Sequence, residues 1–315
     1  MLQPNFNWAA KQKNNTDMRR TTFIICIGLC AFLSPLEVFS NPVFEKSRLL
    51  EPTTTPFELV RGLIIVQAEV NGESGNFILD TGSPMMILNG NNSESATKQA
   101  NTLSGDLVGE WKKINVFAWA GIKKFNLDAL SMDIRHLEFL AGKPLKGLIG
   151  YEFFGNIDLL IDFENQQLRL VPAGGSPKME GWTLQAEIPF TMEGHLAVIE
   201  ANIGDAKFRF GLDTGAGVNL MDIGRKPEIA PELLAPAKST QVVGLSQNSD
   251  SYLAADILET TIAGKNYWNM RYILTDISKL HNLENNNVDG LLGYPFFQSG
   301  KFTINYGKSV ITIWQ

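Results

Sequence analysis

Cysteine is almost missing from this 315-residue chain. There are two, Cys26 and Cys30, and both fall within the first 40 residues. The remainder can form no internal disulfide and offers no thiol nucleophile. Histidine is nearly as scarce: His136, His195 and His281 are scattered without metal-ligand spacing, so no metal or cofactor is expected and solvated surface is the plain reading of all three. Glycine (28) and proline (14) are at ordinary levels, which excludes collagen-like and low-complexity classes. No apolar run reaches the roughly 20 residues that a membrane-spanning helix needs. The nearest, Thr21 to Leu33, follows Arg19-Arg20 and precedes Pro35, and Val38-Phe39-Ser40 suits a cleavage site before Asn41. This pattern predicts a signal peptide over 1–40, with Met18 as an alternative start, and an N-terminal extension over 41–54. The expectation is an exported protein, periplasmic or secreted, with no membrane span in its mature chain.

Positive charge is also in deficit, with 27 Lys and Arg against 33 Asp and Glu. Without its first 40 residues the chain keeps 23 basic and 31 acidic side chains. An acidic body gives no reason to expect nucleic acid or anionic lipid as a partner. A hydrophobic content of 44% over this length can build a large core without disulfides.

What the chain does contain is itself, twice. Shifted by 143 residues, 133–161 and 276–304 match at 11 of 29 positions without a gap, among them Gly147, Leu148, Gly150, Tyr151, Phe153 and Phe154. Shifted by 133, Phe77-Ile-Leu-Asp-Thr-Gly82 aligns with Phe210-Gly-Leu-Asp-Thr-Gly215, so the second copy holds ten extra residues between its two blocks. A unit of over 100 residues is too long for a solenoid repeat and implies two homologous lobes. The turn-rich stretch Val171-Pro-Ala-Gly-Gly-Ser-Pro177 separates them. Lobe 1 is placed at 55–172, a linker at 173–185 and lobe 2 at 186–315.

Each lobe reads as β. Leu59 to Val70 is rich in β-branched residues, Asn71-Gly72 is a strong hairpin turn, and Asn76 to Leu79 resumes the extended pattern. Ala197–Ile203, Gly204-Asp205 and Phe208–Leu212 repeat the design. Leu159–Phe163 with Gln167–Val171, and Phe302–Tyr306 with Val310–Trp314, read as further hairpins. Helical periodicity is confined to short stretches near 133–141 and 276–283, with Asp133 and Asp276 as turn or helix caps. The predicted fold class is all-β, with two barrel-like lobes and a cleft between them.

The chemistry centres on Asp80-Thr81-Gly82-Ser83 and Asp213-Thr214-Gly215-Ala216. One such tripeptide is weak, and two turn-capping aspartates are the bland alternative. Two copies at equivalent places, each after an apolar strand, are a stronger signal. Paired lobes bring such carboxylates together around one water. Like charges that close cannot both ionise readily, so they share a proton: the ionised one acts as general base and the protonated one as hydrogen-bond donor. Ser83 can offer its hydroxyl to Asp80 where Ala216 has none for Asp213, so Asp80 is expected to carry the charge more of the time.

These residues resemble the pepsin and retropepsin superfamily of aspartic peptidases, in its bacterial two-lobe, single-chain form. Each lobe also carries the later apolar-apolar-Gly signal, Leu148-Ile149-Gly150 and Leu291-Leu292-Gly293. The resemblance implies that Asp80 and Asp213 are catalytic, and that the later segments buttress the Asp loops. It further implies that Thr81 and Thr214 hydrogen-bond across the lobe interface, with Gly82, Ser83, Gly215 and Ala216 completing the support. The family's flap has no clear counterpart by sequence; by position the best is 103–111, with Ser104, Gly105 and Trp111 as candidates. Trp111 and Trp119 suit either a cleft lining or the core. The function implied is an aspartic endopeptidase, monomeric, acting on polypeptide substrates. The alternative is a non-catalytic peptide-binding module of the same fold.

Overall fold

The computed structural model describes residues 49, 51–90, 98–102, 105–155, 157–173, 180–235, 238–243, 249–277 and 287–315, and for 98–102, 105–108, 238–243 and 249–252 only the backbone path. The signal-peptide expectation and most of the N-terminal extension lie outside these residues. The architecture is all-β, built as two closed six-stranded barrels.

In the first barrel the strand order is Leu63–Val70, Glu73–Leu79, Gly147–Ile149, Ile87–Asn89, Ile122–Met132 and Gly105–Trp119, and pairing of the last with the first closes the ring. The second barrel repeats it strand for strand with Leu196–Ile203, Ala206–Leu212, Gly290–Leu292, Asn219–Asp222, Lys265–Thr275 and Ser249–Ile262. Between the strands Asn219–Asp222 and Lys238–Val243 the second lobe inserts two 3-10 turns, Ile223–Glu228 and Pro231–Leu233, which hold most of its extra length.

Local chemistry explains the strands. Asn71 and Gly72 both take positive φ, 50° and 85°, as a two-residue turn that matches the twist of a hairpin requires. The β-branched run expected from Leu59 to Val70 is broken in the same way: Arg61 and Gly62, at φ 52° and 87°, split it into Glu58–Val60 and Leu63–Val70. The short helix near 133–141 forms over Arg135–Ala141. Asp133 accepts the Arg135 N–H and pairs with its guanidinium, which holds the Asp133 pKa down at about 2. In the companion stretch, 278–283 lies outside the described residues.

Beneath the barrels a six-stranded antiparallel sheet joins the lobes, in the order Thr53–Pro56, Gln167–Pro172, Ile157–Asp162, Lys301–Asn305, Val310–Trp314 and Leu184–Pro189. Its middle pairing crosses between lobes, Leu159 opposite Ile304 and Ile161 opposite Phe302. One apolar cluster therefore runs unbroken from Phe77, Phe117 and Trp119 through Leu159 and Ile304 to Phe208, Phe210 and Tyr272. Trp119 lies within it against Phe153 and Phe154, a core position and not a cleft lining. Cross-lobe ring pairs add to the seam: Tyr151 with Tyr306, and at the equivalent place Tyr294 with Phe163. Separating the lobes would expose much of this cluster, so the two Asp loops are held together by the whole core.

Candidate active site

The strand Glu73–Leu79 delivers Asp80, and Ala206–Leu212 delivers Asp213. Each strand pairs in parallel with the later apolar segment of its own lobe, Leu79 beside Ile149 and Leu212 beside Leu292. The Asp80 N–H donates to the Ile149 carbonyl and the Asp213 N–H to the Leu292 carbonyl, both at 3.0 Å. Leu148-Ile149 and Leu291-Leu292 thus fix where each loop begins. Further along, Tyr151 N–H reaches the Ser83 carbonyl at 2.7 Å and Tyr294 N–H the Ala216 carbonyl at 2.8 Å, fixing where each ends.

Between these points the two loops exchange partners about a pseudo-twofold axis. Thr81 Oγ1 accepts the Thr214 N–H, and Thr214 Oγ1 accepts the Thr81 N–H, both at 3.1 Å. Thr214 Oγ1 also donates to the Leu79 carbonyl at 2.9 Å, and Thr81 Oγ1 to the Leu212 carbonyl at 3.5 Å. Every one of these bonds crosses between lobes. Each Asp then accepts the N–H of its own glycine, Gly82 to Asp80 Oδ1 at 3.0 Å and Gly215 to Asp213 Oδ1 at 2.8 Å.

The glycines have a steric role as well. A Cβ on Gly82 would lie 2.5 Å from Asp213 Cγ, and one on Gly215 would lie 2.5 Å from Asp80 Cγ. Each carboxyl packs flat on the glycine of the opposite loop, a space no other residue leaves open. Both aspartates are 0% exposed.

Burial pushes the Asp80 pKa well up, and the charge of Asp213 and a hydrogen bond between the two carboxyls push it further. The N–H groups of Gly82 and Ser83 pull in the opposite direction. Asp80 Oδ2 meets no N–H or O–H donor among the described residues. Two carboxyls this close cannot both ionise readily.

Several sequence expectations change here. The Ser83 hydroxyl donates to the Met85 carbonyl at 2.8 Å, so its side chain braces its own loop and is not spent on Asp80. His195, expected on the solvated surface, is 6% exposed, and its Nε2 lies 2.8 Å from the Gly82 carbonyl. His136 is half-buried, and His281 lies outside the described residues. Of the flap candidates, Ser104 lies outside the described residues, while Gly105 opens the long strand Gly105–Trp119 and Trp111 is half-buried on it. That strand and Lys98–Thr102 form a hairpin at the end of the first-lobe sheet. The second lobe has an equivalent hairpin, Lys238–Val243 with Ser249–Ile262, which sequence reading did not find. Both tips have diverged, and the extra residues hide their correspondence.

Among the described residues no cluster of three or more His, Cys, Asp or Glu could hold a metal ion, and no helix is long and apolar enough to cross a membrane. Comparison with protein-family models finds no match, and comparison with curated proteins finds none either.

Proposed function

We propose that the chain is an exported aspartic endopeptidase of the pepsin and retropepsin type, in which Asp80 and Asp213 activate a water for attack on a peptide carbonyl. One observation carries the reading: two buried carboxyls from homologous loops share hydrogen-bonding reach, each seated on the other loop's glycine. Such a pair keeps one proton over a wide pH range. The ionised member takes a proton from water as it attacks. The protonated member donates to the carbonyl oxygen, where negative charge develops; as the carbon–nitrogen bond breaks, the proton taken from water passes to the departing amine and the carbonyl oxygen's proton returns to the pair.

Burial of the pair excludes bulk water and strengthens both interactions. It also requires the surroundings to rearrange as a peptide is admitted, a role that the two long hairpins suit by their place at the sheet ends. Because one chain supplies both carboxyls, specific activity should stay flat on dilution, as for a monomer. Export follows from the N-terminal pattern and leaves a mature chain without cysteine, as its apolar core allows.

The test is incubation of the purified mature chain with denatured protein across pH 3 to 8, with and without a statine-type transition-state analogue. Cleavage blocked by the analogue supports the peptidase. Tight binding of peptide with no cleavage at any pH, in wild type, would favour the non-catalytic peptide-binding module.

A further inference from the structure

The two barrels differ where the second lobe carries its insertion. There Lys238–Val243 pairs with the strand Ser249–Ile262 as far as Ala254, and Leu196–Ile203 meets that strand again at Thr261. The edge between these points is covered by the chain that follows the turn Pro231–Leu233. Leu234 bridges Ile257, and the Ala235 N–H donates to the Asp256 carbonyl at 2.9 Å. Leu233 lies over Gly204, where a Cβ would come within 2.9 Å of its Cδ1. Both leucines are half-buried against the core.

The first lobe has the same edge. Lys98–Thr102 leaves the strand Gly105–Trp119 at Gly109, and the Asn71 turn rejoins it at Val116. Among the described residues no strand or isolated bridge covers the stretch between. Beside the turn lies an open groove of about 430 Å³, lined by Asn71, Asn115, Val116, Ala118, Glu69 and Lys123 among others. The shifts of 133 and 143 that relate the copies match Asn71 to Gly204, Val116 to Glu259 and Ala118 to Thr261. The pairing of Glu69 with Ala118, and of Asn202 with Thr261, agrees with that match. The lobe without the leucines is thus the one with apolar Val116 and Ala118 at this place, both only half-buried. Its own link, 90–97, reads Gly-Asn-Asn-Ser-Glu-Ser-Ala-Thr and has no large aliphatic or aromatic side chain to supply.

We infer that the first-lobe groove docks an extended segment of another protein bearing two adjacent aliphatic side chains, laid on the sheet edge as Leu233-Leu234 is in the second lobe. Main-chain hydrogen bonds to the edge give such a segment affinity, and the pockets for its side chains give selectivity. Asn71 bears a Cβ where Gly204 has none, so the entering side chain seats beside the turn, against Val116 and Ala118. Glu69 and Lys123 have opposite charges, so selection rests on apolar shape and not on net charge. The groove shares no residue with the Asp loops and stands whether or not the chain cleaves peptides.

The probe is the second lobe's own cover supplied in trans, a capped synthetic peptide of the sequence Pro231–Ala235. It is titrated into the 15N-labelled full chain with Asp80→Asn, a change outside the groove that spares the probe from cleavage. The amides of Asn71, Asn115, Val116 and Ala118 should shift and approach saturation by about 1 mM. A probe with both leucines replaced by aspartate should bind at least tenfold more weakly, having no apolar surface to bury. Ala118→Trp, which fills the groove, should weaken the leucine probe at least tenfold, whereas Ala118→Ser should not. No shift up to about 2 mM overturns the inference, as does equal binding of the aspartate probe. Shifts confined to Gly82 and Gly215 place the probe at the Asp loops and overturn it too. Groove amides that shift with protein concentration alone make a second copy of this chain the occupant and overturn the choice of partner. These outcomes need no groove variant to fold.

Discussion

Replacing Thr214 by valine should cost more than the same change at Thr81, and the reason lies in the crossed hydrogen bonds. Valine keeps the branched shape and removes only the hydroxyl oxygen. At position 214 that oxygen accepts the Thr81 N–H at 3.1 Å and donates to the Leu79 carbonyl at 2.9 Å. Leaving the buried Thr81 N–H without an acceptor costs about 1 to 3 kcal/mol, and losing the bond to Leu79 adds about 1 kcal/mol. At position 81 the accepted bond is as short, but the donated one is 3.5 Å long and contributes little. Thr214→Val should therefore lose roughly 2 to 4 kcal/mol and Thr81→Val roughly 1 to 3 kcal/mol. For a body of this size each kcal/mol moves Tm by about 2 to 4 °C, so the Thr214 variant should melt lower by roughly 5 to 15 °C. Thr214→Ser keeps the oxygen and should remain close to wild type. Calorimetry on wild type and the three variants makes the comparison. Equal losses for serine and valine at position 214 would refute the reasoning, since the effect would then follow shape and not the exchanged hydroxyl.

Other outcomes follow from the same geometry. Gly82→Ala should displace Asp213, the carboxyl of the other lobe, by about 1 Å, because its Cβ would start 2.5 Å from Cγ where carbon contacts settle near 3.5 Å. Peptide turnover should fall at least a hundredfold and stability by about 1 to 3 kcal/mol; wild-type turnover would contradict the seating. Ser83→Ala should leave the acid limb of the pH–rate profile in place, because the hydroxyl serves Met85; a shifted limb would restore a direct bond to Asp80. Asp158, buried in the interlobe sheet with Oδ2 on Asn305, has its pKa raised to about 6 by burial. Its folded pKa lies above the unfolded value, so its contribution is whole below about pH 4 and lost as pH rises through 6. Unfolding titrations of Asp158→Asn should show a weaker fall in stability between pH 4 and 7 than wild type, and an unchanged slope would discount this group.

The duplication made most of the framework readable before any coordinates. Strands that match across the two copies, such as Leu196–Ile203 and Leu63–Val70, pair as hairpin chemistry at Gly204-Asp205 and Asn71-Gly72 dictates. The Asp-Thr-Gly loops were conspicuous for the same reason, since each ends an apolar strand. What the sequence hid is what depends on lobes meeting. His195 follows a turn glycine, Gly194, where a polar side chain reads as solvated, and its contact with the Gly82 carbonyl, 113 residues earlier in the chain, leaves no local trace. The turn at Arg61-Gly62 was lost inside a β-branched run because an arginine at φ 52° gives no compositional cue. Ser83 looked like a partner for Asp80 by adjacency, but the tight loop points its hydroxyl forward to Met85.

The most direct test of the paired carboxyls is turnover of a mixed peptide library by Asp80→Asn and Asp213→Asn, alongside thermal melting. The amide is nearly isosteric with the acid, so the seat on Gly215 or Gly82 should survive. Each substitution leaves a single carboxyl, which cannot be base and acid at once, so the shared-proton arrangement is lost whichever lobe it strikes. Each should abolish cleavage while the protein still unfolds cooperatively, and the double variant should be little worse than either single, as befits one catalytic unit. A folded Asp80→Asn or Asp213→Asn protein that cleaves at a rate comparable to wild type would contradict the two-carboxyl mechanism outright.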